Sequence, residues 1–394
     1  MRTGEKYHVV VVGAGPAGLH AAIAAAEQGV SVLLFDKKTT IGVPVKCGEF
    51  FPSKDVMLDL LPGTRQFSDL YDVPSNAISN DCDTLRMYSP RGKRWEFSFD
   101  ARVLDRSTLE QLLAEKAHKL GVDIRLGRPA RVFRHSRQLS VGPTESQSVA
   151  ADVIIAADGF PSTTASSGGI SSDQYVHPGN VATNYQYLME DLDIEPNVTE
   201  MYTGTSIAPG GYAWIIPKSG SSANVGIGLR TTFTRSVKGR DFLDHFVRTY
   251  PPTASKLCSG MTRTMAVDVL PVDGTVSTTY TDTMLMVGDS AGMVMPTNGG
   301  GIPTAMVSGR IAGEVAAQHV QSGTPLSQYE DRWKEALGRE VTASTRMRRF
   351  ADYFMVNDRL FDMALRILRT GGIKKVLTCK VPTGLRILMW LLGY

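Results

Sequence analysis

"YHVVVVGAGPAGLHAAIAAAEQGVSVLLFDKK", Tyr7 to Lys38, decides the fold. Tyr7–Val12 is an unbroken apolar, largely β-branched run, the pattern of a parallel strand covered on both faces. Gly13, Gly15 and Gly18 follow in G-x-G-x-x-G spacing, with Pro16 and Ala17 between them. The pattern then predicts a helix over 19–28, stopped at Gly29, and a second strand over 30–35 that ends in Asp36 and Lys37. Gly13 allows a tight turn, Gly15 allows close approach of a pyrophosphate, and Gly18 allows close packing of helix on strand. The helix N-terminus then meets the phosphates with free N–H groups and the positive end of its dipole. Asp36 stands about 20 residues past the first glycine, where an acid holds ribose hydroxyls. A lone G-x-G-x-x-G is a weak signal, and its alternative is a merely structural βαβ turn. Here the strand, the helix and the acid all stand where dinucleotide binding needs them. An acid rather than a base at position 36 disfavours a 2′-phosphate, which leaves FAD or NAD and not NADP.

Working outward, 394 residues that are 42% hydrophobic and 21% charged are enough for two subdomains with their own cores. The net charge of +3 is too small to argue for nucleic acid, and no basic run interleaved with aromatics is present. Cys47, Cys82, Cys258 and Cys379 are far apart with no C-x-x-C spacing. This predicts neither a zinc site nor a disulfide framework, no metal, and a reducing cytoplasmic setting. "VVVVG" is too short for a signal peptide, and no run of 18 apolar residues predicts a spanning helix.

Two later motifs separate FAD from NAD. "ADVIIAADGFPS" (151–162) is an apolar strand ending in Ala157-Asp158-Gly159. In "TDTMLMVGDSAGMVMPTNGGGIPTAMVSGRIAGEVAA" (281–317) a strand over 284–287 ends in Gly288-Asp289, and Pro296, then Gly299-Gly300-Gly301 and a helix from Ile302 follow. A carboxylate at a strand end can bind a sugar or ribityl hydroxyl. Three glycines at a helix start turn backbone N–H groups toward an electron-rich ring edge, where positive charge stabilises a reduced flavin. The plainer alternative for the triplet is a flexible connection.

GAGPAG, AADG and VGDSAG in this order resemble the FAD-dependent oxidoreductases related to p-hydroxybenzoate hydroxylase. The resemblance implies FAD, with its pyrophosphate on the first motif and its ribityl chain on Asp289. "VLDRSTLEQLLAEKAHKLGVDI" (103–124) resembles that family's helix opening with a cofactor-reaching arginine, here Arg106, whose alternative is a surface arginine of the first turn. "GRPARVF" (127–133) resembles the strand passing the adenine, which implies backbone contacts from Arg131 or Val132. Within the superfamily, "GVPVKCGEF" (42–50), "SIAPGGYAWIIPKSGSSANVGIGL" (206–229) and "PTNGGGIPTAMVSGRIA" (296–312) resemble the geranylgeranyl reductases, over about residues 7–320. Ile216 departs from that family's usual Phe.

The resemblance implies that Lys46, Cys47 and Gly48 lie at the flavin, with Cys47, Gly48 and Glu49 the catalytic candidates. Cys47 either shapes the approach to the ring and handles a proton or simply packs, and Lys46 is placed to lower its thiol pKa. Glu49 is a second proton-donor candidate, or else solvated. Tyr212 and Trp214 alternate on a predicted strand, so their rings share a face. They either wall an apolar cavity with Pro296, as substrate contacts, or stabilise a sheet.

The fold class expected is α/β: a Rossmann-type FAD-binding domain over 1–75, 103–165 and 270–322, an antiparallel-sheet substrate domain over 76–102 and 166–269, and a helical region over 323–394. A hairpin over 85–99, one helix over 239–249 followed by a strand, and helices over 327–357 and 358–370 are predicted. From Phe361 to Tyr394 Asp362 is the lone acid against Arg366, Arg369, Lys374, Lys375, Lys380 and Arg386. Residues 385–392 either lie on a membrane surface or dock on the FAD domain. The implied function is saturation of C=C bonds in geranylgeranyl or polyprenyl chains of archaeal-type membrane lipids, by hydride from reduced FAD plus a proton. The electron donor, NAD(P)H or a ferredoxin-like carrier, is left open, and the setting is cytoplasmic or peripheral at the inner membrane face. The rival is a flavin monooxygenase or halogenase of the same fold, since YAWIIP is similar to the halogenases' W-x-W-x-I-P; a lipid-carrying flavoprotein without turnover is a third class.

Overall fold

A computed structural model describes residues 5–133, 136–141, 147–170, 172–234, 238–382, 384, 386 and 389. The opening stretch forms the strand Glu5–Val12, the helix Pro16–Glu27 and the strand Val32–Asp36. The two strands pair in parallel, Val9 opposite Val32 and Val12 opposite Phe35. Val9–Val11 are fully buried, as a strand covered on both faces requires. The sheet runs Asp123–Leu126, Val32–Asp36, Glu5–Val12, Gln147–Ala156, Gln138–Val141, Ala130–Val132, and Met284–Met286 pairs with Gln147–Ala156. The strands that end in Asp36, Ala156 and Met286 therefore deliver their following turns to one edge of the sheet.

The helix Ile302–Ser322 lies across the helix Pro16–Glu27, and the fit depends on missing side chains. A Cβ on Gly309 would stand 2.1 Å from the Ala17 carbonyl oxygen, and one on Gly313 would stand 2.2 Å from that of Ala21. Within the first turn, a Cβ on Gly18 would meet the Gly13 carbonyl oxygen at 1.8 Å.

The second sheet has eight strands, in the order Met261–Pro271, Val181–Glu190, Ser222–Leu229, Tyr212–Ser219, Val198–Tyr202, Ile78–Tyr88, Arg94–Leu104, Phe50–Pro52. It is antiparallel except where Val198–Tyr202 runs parallel to Ile78–Tyr88. Phe50–Pro52 joins this sheet at its edge although it follows the nucleotide-type unit closely in sequence. Trp214 stands opposite Gly226, and its indole fills the space that a side chain there would take.

Several expectations change. After the helix Gly239–Arg248 a second helix, Pro251–Leu257, precedes the strand; Pro251 begins it, where a missing N–H costs nothing. The helix expected over 327–357 is two α-helices, Ser327–Trp333 and Arg339–Met355, joined by a π-helical turn at Lys334–Gly338. The last helix, expected to stop at Thr370, bends at Arg369 (φ 53°) and continues to Leu377. Gly371-Gly372 reads as a stop, but Ile373 and Leu377 bury against Leu85, Met87, Trp95 and Phe97 of the second sheet, and that burial outweighs propensity. Of the segment 385–392 only Arg386 and Met389 fall within the described residues, and Met389 is buried.

Candidate active site

Between the sheets lies a cavity of about 620 Å³. Two helix N-termini open into it. Gly15, Pro16 and Ala17 start one and Gly300, Gly301 and Ile302 the other, and no side chain caps either. Free N–H groups and two positive dipole ends therefore converge on one space. A Cβ on Gly15 would meet nothing within 4 Å, so that backbone is open to an incoming group. Beside the second helix, Asp289 lines the cavity and its carboxylate accepts no hydrogen bond from the described residues. Burial pushes it up to about 6, with the Arg106 guanidinium opposing. Donors for a pyrophosphate at one helix, donors for an electron-rich ring at the other, and an unsatisfied acceptor for hydroxyls suit a flavin dinucleotide.

Lys46, Cys47, Gly48, Glu49, Arg106, Ala157, Gly159, Pro296, Gly299, Tyr212 and Trp214 also line the cavity. Gly13, Gly18 and Gly288 sit behind it and shape turns; Gly13 (φ 111°) passes so near Ala157 that a Cβ would fall 2.2 Å from its carbonyl oxygen. Asp36 lies outside the cavity, where its carboxylate accepts from the Ala14 and Lys38 N–H groups, both at 2.7 Å, and ties the glycine turn to the strand end beside Lys37. Asp158 points elsewhere. Its carboxylate is occupied by Ser162, Thr163 and Thr164 at the start of the helix Thr163–Gly168, a local structural task. Arg131 is exposed and Val132 buried on the edge strand Ala130–Val132.

The loop 46–49 is held by side chains that sequence reasoning missed. Gln186 Nε2 donates to the Cys47 carbonyl at 2.9 Å, and Asn224 Nδ2 donates to that of Gly48 at 3.2 Å. Gln186 Oε1 also accepts from Trp214 Nε1 at 3.3 Å. Glu49, at φ 63° and 1% exposed, accepts from the Arg106 N–H at 2.9 Å, from Asn224 at 2.9 Å and from the Lys218 ammonium. Every partner donates, one of them a cation, so both carboxyl oxygens of Glu49 are taken up as acceptors. It acts as an anchor rather than the proton donor expected from its position. Its burial also excludes the solvated alternative. Lys218 and Asn224 lie within the stretch 206–229 that carries the family resemblance, but nothing in it told that they reach this loop; Gln186 gave no signal beyond being a polar residue on a strand with apolar neighbours.

Cys47 Sγ accepts from the Glu49 N–H at 3.2 Å and faces the Arg106 guanidinium. Burial pushes the thiol up, and Arg106 opposes that rise. Lys46 does not act on the thiol as expected; it pairs with Asp268 at 3.7 Å. The cation beside the thiol is Arg106, which Glu110 orients through a 2.6 Å bond to Nε. Tyr212 donates to the Asn298 carbonyl at 2.7 Å, joining the sheet to the glycine triplet. Its ring and that of Trp214 lie 5.9 Å apart on one face, as their alternation predicts. Ile216, the departure at the next position on that face, packs on Gly48, where a Cβ would meet its Cδ1 at 2.9 Å. Beyond the rings the wall is apolar, with Phe354, Phe361, Leu368 and Leu377 from the C-terminal helices.

The chain matches the family model of the geranylgeranyl reductase catalytic domain over residues 180–262 and that of an NAD(P)-binding Rossmann-like domain over residues 11–69. It is 34% identical to a digeranylgeranylglycerophospholipid reductase of Methanosarcina acetivorans, over 86% of this chain and 83% of that one. It is 33% identical to a digeranylgeranylglycerophospholipid reductase of Methanopyrus kandleri, over 85% and 84%. Among solved structures, a geranylgeranyl bacteriochlorophyll reductase-like protein of Thermoplasma acidophilum superposes with a TM-score of 0.84 at 28% identity, over 99% of this chain and 100% of that one. A flavin-dependent brominase shares the fold with a TM-score of 0.72 at 16% identity, over 98% of both chains. Flavin-type backbone, cavity and sequence agree: the chain belongs to the geranylgeranyl reductase family.

Proposed function

We propose that the protein is an FAD-dependent reductase that saturates C=C bonds in the geranylgeranyl chains of archaeal-type membrane lipids or their precursors. The observation that carries this is the shape of the cavity: donor-rich where Gly15 and Gly301 start their helices, apolar from Tyr212 and Trp214 outward. That form suits a cofactor at one end and a hydrocarbon chain at the other. When bound and reduced, FAD supplies a hydride to one carbon of the alkene.

The chain's own residues then have three tasks. Ala17 and Gly301 would present backbone N–H groups to the cofactor and Asp289 would accept from its hydroxyls, while Gly300, whose N–H is donated to Asn298 Oδ1 at 2.8 Å, shapes the turn. Tyr212, Trp214 and Ile216 hold an unactivated alkene in place and exclude water, which matters because such a bond has no carbonyl to polarise. Cys47 holds a proton on Sγ at the cavity wall; burial keeps it a thiol, and Arg106 steadies the charge left when the proton goes to the second carbon. Cys47→Ala and Cys47→Ser therefore lower turnover at least about tenfold with flavin content unchanged; equal turnover in both overturns the proton role.

The test of the whole reading is anaerobic. The holoprotein is reduced with dithionite, a geranylgeranyl lipid is added, and flavin re-oxidation is followed together with product mass. Re-oxidation with mass gains in steps of two hydrogens is expected. Stable reduced flavin that re-oxidises only with air and an aromatic substrate assigns the protein to monooxygenation or halogenation instead.

A further inference from the structure

The helix Asp358–Leu377 carries an apolar stripe on its outer face. Leu360, Met363 and Ile367 stand at helical spacing i, i+3, i+7, and Val356 precedes them by one turn at the junction with Arg339–Met355. They are 42%, 51%, 72% and 61% exposed, respectively. Large apolar side chains left in a row on one face mark a contact surface.

We propose that this stripe docks the enzyme on an anionic lipid bilayer, with the cavity mouth against the membrane. The inference rests on the reading that the substrate is a bilayer lipid. Two observations select this occupant. First, the stripe continues into the cavity: Met363 and Ile367 are at once exposed and part of its wall, with Phe361, Ala364 and Leu368 beside them. A chain leaving the bilayer at this rim would meet hydrocarbon all the way in. Among the described residues no helix is long and apolar enough to cross a membrane, so access at a surface is the route the fold offers.

Second, the charge is one-sided. The helix carries Arg359, Arg366, Arg369, Lys374 and Lys375 against Asp358 and Asp362. Both acids are turned inward, Asp358 to the Thr205 N–H and hydroxyl and Asp362 to Ser89 and Arg366. Arg359, Arg369 and Lys375 are exposed and form no ion pair among the described residues. Such a face attracts acidic headgroups and repels a second copy of itself.

The experiment is sedimentation of the full-length holoprotein with vesicles of phosphatidylcholine alone and with about a third phosphatidylglycerol. Wild type is expected to bind the mixed vesicles, less so at high salt, and the neutral ones weakly. V356S/L360S, neither residue lining the cavity, is expected to weaken binding about tenfold or more. R359Q/K375Q is expected to lose the preference for the anionic vesicles. Both variants keep wild-type turnover on a detergent-dispersed geranylgeranyl lipid. Wild-type affinity that is equal for the two vesicle types, or unchanged by V356S/L360S, overturns the proposal. So does a concentration-dependent dimer that V356S/L360S abolishes, which would show the stripe covered by a second copy. Binding as expected without reduction of any prenyl lipid supports the docking face and overturns only the catalytic reading.

Discussion

Glu49 shows how a single residue organises the site. Its left-handed backbone carries strain of about 1 kcal/mol or more, and its buried carboxylate holds Arg106, Asn224 and Lys218 in return. In Glu49→Gln the shape survives, but Lys218 loses its counter-charge in a largely buried place. Urea unfolding is expected to show a loss of about 3 kcal/mol, with Lys218→Met in the Gln background recovering part of it. A Gln variant as stable as wild type overturns the ion-pair anchor. Cys47 and Glu49 were legible in the sequence because they sit in one contiguous stretch. That Gln186, Asn224 and Lys218 reach this loop was not, even for the two that lie in the stretch 206–229, because a polar residue on a strand reads the same whether it faces solvent or an inner loop.

At the scale of elements, the crossing of Pro16–Glu27 and Ile302–Ser322 sets where both cofactor-facing helix ends lie. Gly309→Ala puts a methyl group against the Ala17 carbonyl and must push the helices apart. The expected loss is about 2 kcal/mol in thermal or urea unfolding, with weaker flavin retention because both N-termini move; retention unchanged at wild-type stability refutes the close approach. The first of these helices also carries an acid-sensitive group. His20 is 5% exposed, its Nδ1 lies 2.8 Å from the Pro16 carbonyl, and burial lowers its pKa to about 4. The unfolded chain takes up a proton near the ordinary value of 6.5 while the folded one stays neutral. Stability from this group is therefore complete above pH 6.5 and declines as pH falls toward 4. By pH 5 the decline is about 2 kcal/mol, and His20→Gln is expected to remove that part of the pH dependence. Parallel stability profiles for wild type and variant between pH 7 and 5 would contradict it.

At the scale of the whole molecule, the C-terminal helices are bolted to the second sheet by buried charge. Arg230, 2% exposed, donates to the Gly210 carbonyl at 2.8 Å and grips Asp352 with both terminal nitrogens, while Arg348 joins Asp352 and Asp273. These contacts hold Arg339–Met355, and with it the outer cavity wall. Arg230→Met breaks a buried pair at an expected cost of about 3 kcal/mol. Amide exchange is expected to quicken in Arg339–Met355 and not in Glu5–Val12. Uniform exchange across the two would place the network outside the folding of that wall.

By itself the sequence determined the nucleotide-type unit, the glycine triplet behind Asp289 and the shared face of Tyr212 and Trp214, and its resemblance to the geranylgeranyl reductases pointed to the stretch at Cys47. The first three are local patterns whose spacing is fixed by backbone geometry and the last is a contiguous stretch matched to a family, so all can be read without knowing what lies opposite. Only the tertiary structure decided that Arg106 rather than Lys46 faces the thiol, that Asp158 caps a helix, that Glu49 is an anchor, and that the last helix runs past Gly371-Gly372. Apart from Asp158, whose partners lie four to six residues further on, those outcomes depend on partners more than 50 residues away, such as Lys218 on Glu49 and the sheet residues beneath Ile373. Side-chain direction, burial and charge pairing arise only when distant segments are brought together, and no periodicity along the chain records them.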